Sequence, residues 1–283
     1  APRAPAPDAS GDQSTVVREV TWQPGTELDP ATLAGVDAIV HLAGAGIGDQ
    51  RWSPARKREL VASRTEGTDT IARAIAGMAR MPGGAPRLLS GSAVGYYGDR
   101  GPDILTEESD RGEGFLADLC RDWEAATWSA EKAGASVAHV RTGIVLAPHG
   151  GALGKVLPMV RAGLGGPLGS GKQYWSWITL HDHVRALSFL LDHPEITGPV
   201  NLTGRHPDTQ LDVVKALAHD LHRPSLLRAP GIALRVVIGE MASEILGSQR
   251  VLPTVLDEAG FTQDHPDLPR AVAWLLDEPA QST

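Results

Sequence analysis

The chain has 283 residues and a mass of 29.9 kDa, a little under two domains at about 150 residues each, and its 42% hydrophobic content with 32 glycines and 21 prolines in no repeat excludes collagen-like and disordered classes. A formal charge of −8 with no basic run argues against a nucleic-acid or anionic-membrane partner, and the single cysteine, Cys120, excludes an internal disulfide or a cysteine-based zinc cage. No stretch reaches ~18 uninterrupted apolar residues and the start lacks a basic-then-apolar layout, so a cytoplasmic protein is expected.

Residues 1–15 are rich in Pro, Ala and polar residues and read as a flexible lead-in. Val16 to Trp22 is a β-type run. Val36 to Leu42 is nearly continuously apolar, as in a strand buried on both faces. It enters the glycine-rich turn Ala43-Gly-Ala-Gly-Ile-Gly48, followed by Ser53-Pro54, an N-cap with proline at the first helical position, and a helical pattern through Met78. Strand-like Arg87 to Ser90, helix-like Phe115 to Lys132, strand-like Ser136 to Arg141, a helix around Val184 to Leu191 and strand-like Val200 to Leu202 repeat the alternation. This order predicts an α/β chain with a parallel, doubly wound sheet. Nine glycines lie between Gly143 and Gly171, with a short helix expected from Ala152 to Ala162 that Pro158 would kink. From about Pro224 strand signals stop, and Ile232 to Leu246 and Leu252 to Ala259 read as helices.

Several segments occur in a telling order: Asp37-Ala-Ile-Val-His-Leu-Ala-Gly44, Ser90-Gly-Ser-Ala-Val-Gly-Tyr-Tyr-Gly98, Pro102-Asp-Ile-Leu-Thr-Glu107, Arg141-Thr-Gly-Ile-Val-Leu-Ala-Pro148, Trp177-Ile-Thr-Leu-His-Asp182 and Gly198-Pro-Val-Asn-Leu-Thr-Gly204. In this order the chain resembles the extended short-chain dehydrogenases of the nucleotide-sugar epimerase/dehydratase type. Leu168-Gly-Ser-Gly171, Trp175-Ser-Trp177 and the tail from Gly239 to Pro253 are similar to an atypical epimerase-like subfamily with a C-terminal helical domain of unknown function. The resemblance runs from about residue 17 to about residue 275. It implies a Rossmann-type fold with NADP or NAD as cofactor, and a division into a lead-in (1–15), a Rossmann-like cofactor and substrate region (16–223) and a helical C-terminal domain (224–283).

Two departures from the family pattern stand out. GxGxxG does not occur, and GxxGxxG occurs at Gly95-Gly98-Gly101 and Gly163-Gly166-Gly169, neither between a strand and a helix as a phosphate turn requires. The opening residues resemble the segment after the family's second strand, so the expectation is a shortened chain whose first β-α-β unit lies upstream of residue 1, with Arg3 as a remnant of the 2′-phosphate reader. The second departure is catalytic. The wider superfamily uses a tyrosine with a lysine four residues on, because free tyrosine, with a pKa of about 10, is a poor base at pH 7. The residues four before the five lysines are Ser53, Trp128, Gly151, Leu168 and Leu211, and the aligned Tyr and Lys positions hold Leu116 and Cys120.

Ser92, Tyr96 and Tyr97, expected at a strand's C-terminal end, are then the candidate catalytic residues, with aromatic packing the alternative for either tyrosine. The resemblance places Leu42, Ala43, Gly44 and Ser90 on the cofactor, and Arg141, Thr142 and Gly143 toward its nicotinamide, although Arg141 could equally be a structural ion-pair partner. Trp175 and Trp177 are candidates for stacking on a substrate, with core packing the alternative. Arg250 is read as a substrate contact or an interdomain tie. His41 reads as a core histidine. His181 and His183 flank Asp182 but stand two residues apart at a helix start, so no metal site is expected and Asp182 is read as a capping or hydrogen-bonding group. The function expected is an NAD(P)-dependent oxidoreductase or epimerase-like enzyme on a small-molecule substrate, assembled as a homodimer. The alternatives are a non-catalytic NADP(H)-binding sensor or interaction protein, favoured by the missing Tyr-Lys pair, and a chain that binds no dinucleotide.

Overall fold

The computed structural model describes residues 17–277 apart from Pro82 and His149; the lead-in, Val16 and Arg3 lie outside these residues. The elements run β1 (Ala38–His41), α1 (Pro54–Met78), β2 (Arg87–Ala93), β3 (Ile104–Leu105), α2 (Phe115–Ala125), α3 (Trp128–Lys132), β4 (Val137–Thr142), β5 (Ile144–Leu146), α4 (Gly151–Arg161), β6 (Tyr174–Trp175), β7 (Trp177–Thr179), α5 (Leu180–Asp192), β8 (Gly198–Leu202), β9 (Asp208–Thr209), α6 (Gln210–Asp220), α7 (Gly231–Ile238), α8 (Met241–Leu246), β10 (Arg250–Val251), α9 (Thr254–Glu258) and α10 (Leu268–Asp277). The main sheet has the order β1-β2-β4-β8, all parallel.

Side chains alternate across this sheet with the period of two that a strand imposes. Leu88 packs with Ile71 and Ile75 of α1, Ala130 of α3 and Val137 on one face, while Leu89 packs with Ile178, Ala186 and Leu190 of α5 and with Val200 and Leu202 on the other. Helices on both faces make the sheet doubly wound, as the alternation of elements predicts. α1 begins where its sequence says it should: Ser53 Oγ accepts the Arg56 amide at 3.1 Å and Pro54 occupies the first helical position.

The structure corrects several boundaries. Residues 17–22 form no strand, because among the described residues none runs beside them to pair their N–H and C=O groups; Trp22 packs onto the α1 cluster instead. The helix expected over Phe115 to Lys132 breaks between α2 and α3, where the Thr127 hydroxyl donates to the Glu124 carbonyl at 2.7 Å and competes with the helical ladder. The one expected over Ile232 to Leu246 breaks at Gly239, whose φ of 67° cannot continue a right-handed helix.

A second apolar core joins α4 (Leu153, Leu157, Val160), α6 (Val213, Val214, Leu217) and α10 (Ala271, Val272, Leu275). Leu256 of α9 and Phe261 pack beside β8, and β10 pairs in parallel with β3. The tail therefore contributes buried side chains and a strand to the body of the chain. α6 opens with a reciprocal cap: Thr209 Oγ1 accepts the Asp212 amide and the Asp212 carboxylate accepts the Thr209 amide, each at 3.3 Å. Thr209→Ala is expected to cost about 1 kcal/mol, seen as a lowered thermal midpoint. No helix among the described residues is long and apolar enough to cross a membrane.

Candidate functional site

In an open parallel α/β sheet, ligands bind beyond the carboxyl ends of the strands. Here those ends carry the Leu42–Gly48 turn, the Ser92–Tyr97 segment, the Arg141–Gly143 step and the residues after Leu202. Leu42 is exposed, as is Val40 on β1, the last strand of the sheet among the described residues. Gly44 packs flat on Arg64: a Cβ there would stand 3.0 Å from the guanidinium carbon. Arg64 is buried, lies 5.1 Å over the Trp123 ring and has no carboxylate partner among the described residues. Burial lowers its pKa. A second buried guanidinium, Arg56, donates to the Gly46 carbonyl at 2.5 Å and pairs with Glu59 at 2.8 Å.

The polar centre lies one strand further in. Arg141, 3% exposed on β4, holds the carboxylate of Glu124 from α2 with both arms, Nε to Oε1 at 2.8 Å and Nη2 to Oε2 at 2.9 Å. Burial opposes the guanidinium's charge, but the Glu124 and Tyr97 contacts outweigh it and its pKa rises. Ser92 Oγ donates to Glu124 Oε1 at 2.6 Å. Arg141 Nη1 donates to the Tyr97 hydroxyl at 3.0 Å, which donates to Asn201 Oδ1 at 2.7 Å, and the Asn201 amide group reaches the Leu252 carbonyl at 2.9 Å. Glu107 Oε1 accepts the Asn201 amide at 3.0 Å while Oε2 is buried without a partner, and burial raises this carboxyl's pKa against the backbone N–H groups that lower it.

Several of the residues singled out in the sequence lie in or beside this network. Tyr97 is wholly buried, its hydroxyl is spent on Arg141 and Asn201, and burial raises its pKa; it is a network residue rather than an accessible acid. Tyr96 is half-buried, with the Arg141 guanidinium 3.5 Å over its ring. Arg141 takes the ion-pair role. Trp177, 1% exposed, and Trp175 belong to the α4–α6–α10 core, and the Trp177 indole N–H is bound to Asp208 Oδ2 at 3.0 Å. Neither tryptophan offers a face for stacking, because the tail helix α10 closes over the cluster they occupy. Arg250 sits on β10 with its guanidinium 4.9 Å over the Tyr174 ring.

The remaining candidates stand close to the strand ends. Ser90 Oγ is buried with no hydrogen-bond partner. Thr142 Oγ1 is 3.1 Å from His183 Nε2, and Gly143 lies against the Ser176 carbonyl. His41 is buried and burial lowers its pKa, but its Nε2 has no hydrogen-bond partner, so it is a core histidine that is not fully satisfied. Leu116 packs at Gly95, and Cys120 is a buried thiol pushed up to about 12 by burial, then by Glu124; neither can act as the superfamily's Tyr-Lys pair does. Sequence reasoning missed Glu124, Asn201, Glu107 and Arg64. Glu124 did carry a signal, an acid one helical turn beyond buried Cys120, on the face that meets the sheet.

The residues present fit one end of a dinucleotide. Small residues at the β1 turn, an unpaired buried hydroxyl at Ser90 and a buried Arg64 whose guanidinium donates to the Leu60 carbonyl at 3.1 Å but meets no carboxylate among the described residues suit a polar, anionic ligand. No strand-turn-helix with the GxGxxG spacing occurs among the described residues.

Residues 6–202 match the NAD dependent epimerase/dehydratase family, and residues 229–275 match a domain of unknown function. An epimerase family protein of Mycobacterium bovis is 43% identical over 92% of this chain and 86% of its own length. The human epimerase family protein SDR39U1, solved with NADPH, superposes with a TM-score of 0.80 at 28% identity over 91% of this chain and 89% of that one. A nucleoside-diphosphate sugar epimerase from Corynebacterium glutamicum gives 0.73 at 33% identity, over 90% of this chain and 49% of its own.

Proposed function

The chain belongs to the NAD-dependent epimerase/dehydratase family, and on that premise we propose that it binds NADP(H) or NAD(H) at the ends of β1, β2 and β4 and acts as an oxidoreductase or epimerase-like enzyme on a small polar substrate. The observation that carries this reading is Ser92 at the mouth of the sheet, held by the Glu124–Arg141 pair. When bound, the dinucleotide supplies hydride transfer. Arg64 and the Gly44 turn would hold its charged portion, and Ser90, Thr142 and Gly143 would meet its nicotinamide end.

Ser92 is 4% exposed, beside the Cys120 thiol, and its one proton goes to Glu124 Oε1. What its Oγ would offer a bound substrate is a lone pair, which accepts from a donor group such as a hydroxyl. In this reading Ser92 orients the alcohol form of a substrate, with Glu124 keeping the serine hydroxyl turned away, and Tyr96 forms the half-buried wall beside it. The NADPH-bound human relative supports the cofactor assignment.

Titration with NADPH and NADH, followed by quenching of the seven tryptophans, is expected to saturate for one or both. Arg64→Met is expected to weaken that binding at least ~10-fold, about 1.4 kcal/mol, by removing a charge-assisted contact. Absence of saturable quenching would overturn the cofactor assignment. The second reading, a non-catalytic NADP(H) sensor, is favoured by Leu116 and Cys120 at the aligned Tyr and Lys positions. It predicts binding with no hydride transfer across a broad substrate screen, and no effect of Ser92→Ala beyond binding.

A further inference from the structure

Asp182, in the first turn of α5, is 1% exposed and pins the segment before α10 to that helix. Its carboxylate accepts the backbone amides of Asp264 and His265, each at 2.9 Å, the Arg185 guanidinium at 3.0 Å and the Thr179 hydroxyl at 3.2 Å. These bonds hold the carboxylate in its ionised form and keep its pKa below the usual range despite burial. They also bring His265 across to His181. The two rings meet edge to face with centroids 5.2 Å apart, and Trp274 of α10 stands behind both, at 6.3 and 5.3 Å.

The donor atoms of this cluster converge. One ligand atom each from His181, Asp182 and His265 lies within 4.8 Å of the others. His265 Nδ1 is only loosely engaged, 3.4 Å from both Thr179 Oγ1 and Asp182 Oδ2, and His181 Nε2 is 2.8 Å from Asp264 Oδ2. Arg185 bridges Asp182 and Asp264 at 3.0 and 3.1 Å, so one carboxylate charge of the two is left over when both imidazoles are neutral. Two imidazoles, a fixed carboxylate and a net negative charge are the donor set that borderline divalent ions prefer. Tetrahedral bonds of about 2.0–2.1 Å to nitrogen need closer donors than the present spread. His181, 41% exposed, can supply that movement by a rotamer change, and Asp182 Oδ2 gains a free lone pair when the Thr179 hydroxyl, its longest hydrogen bond at 3.2 Å, turns away.

We propose that His181, His265 and the Asp182 carboxylate form a three-ligand site for a divalent transition-metal ion that clasps the start of α5 to the segment preceding α10, with Asp264 as the adjacent carboxylate. His183 takes no part, since it turns inward to Thr142. The proposal is independent of cofactor binding and substrate.

The test uses the full chain, stripped with chelator, and zinc sulfate as the probe in calorimetry. One zinc per chain is expected, with a raised thermal midpoint on zinc addition. His265→Gln and His181→Asn are each expected to weaken binding at least ~10-fold, and the double variant is expected to lose both the stoichiometric site and the thermal shift. Circular dichroism identical to the parent shows that the variants fold. Zinc binding that persists unchanged in the double variant, which would place it on other histidines such as exposed His219, overturns the proposal. So does the absence of any saturable zinc binding by the parent chain.

Discussion

Glu124→Ala is expected to lower the free energy of unfolding by about 3–5 kcal/mol, the cost of leaving a buried charge without its partner. Arg141 is deep in β4, and Glu124 supplies both oxygens that face its guanidinium. Without them the cation keeps the Tyr97 hydroxyl, which is also bound to Asn201, and the face of the Tyr96 ring, neither of which carries a charge, and Ser92 loses the acceptor for its proton. The strain passes along a network that spans α2, β2, β4, β8 and the tail. Glu124→Leu combined with Arg141→Met removes both charges and is expected to recover most of the loss, because a buried ion pair contributes little net stability over apolar residues of similar size. Urea denaturation midpoints of the two single variants and the double decide this. A double variant no more stable than the worse single would show that the pair is not the origin of the effect.

Gly143→Ala should be comparably damaging for a steric reason. Gly143 joins β4 to β5 where the backbone passes the Ser176 carbonyl, which also receives the Ile144 amide at 2.8 Å. An added Cβ overlaps that carbonyl oxygen and comes within 3.0 Å of Thr203 Cγ2. A backbone carbonyl tied into the β5–β7 ladder cannot move aside as a flexible side chain can. A loss of about 3 kcal/mol is expected, together with weaker NADPH quenching, since Thr142 is carried on the same step. Gly154→Ala is the matched control: Gly154 lies within α4 with nothing near its Cβ position, and alanine there is expected to be neutral or slightly stabilising. Equal destabilisation of the two variants would rule out the clash.

The buried strands were legible because their signal is local. Arg87–Ala93 and Val137–Thr142 are covered on both faces, and the alternation of strand-like and helix-like segments places them, whereas Val36–Leu42, read from its apolar run as buried on both faces, leaves Val36, Val40 and Leu42 exposed. α1 declares its start through Ser53-Pro54. Residues 17–22 carry β-type residues such as Val17, Val20, Thr21 and Trp22 and form no strand, because a strand exists only with a neighbour to hydrogen-bond. α10 escaped notice, although its Ala271, Val272 and Leu275 complete a core that begins at Leu153.

In the site, the same division holds. Ser92 and Arg141 could be located from the strands that end at them, but their shared partner Glu124 lies 32 and 17 residues away in sequence. Trp175 and Trp177 show in the sequence as an aromatic pair; that they are buried in one core with the tail helix depends on where that helix lands.

By itself the sequence determined the α/β class, the family resemblance and the lack of a tyrosine four residues before any lysine, since these need only order, period and counting. The tertiary structure decided that Ser92 points its proton at Glu124, that the two tryptophans are core, and that His265 rather than His183 comes to His181. Each of these depends on the docking of separate elements, and local side-chain period carries no information about which distant residues that docking brings within bonding distance.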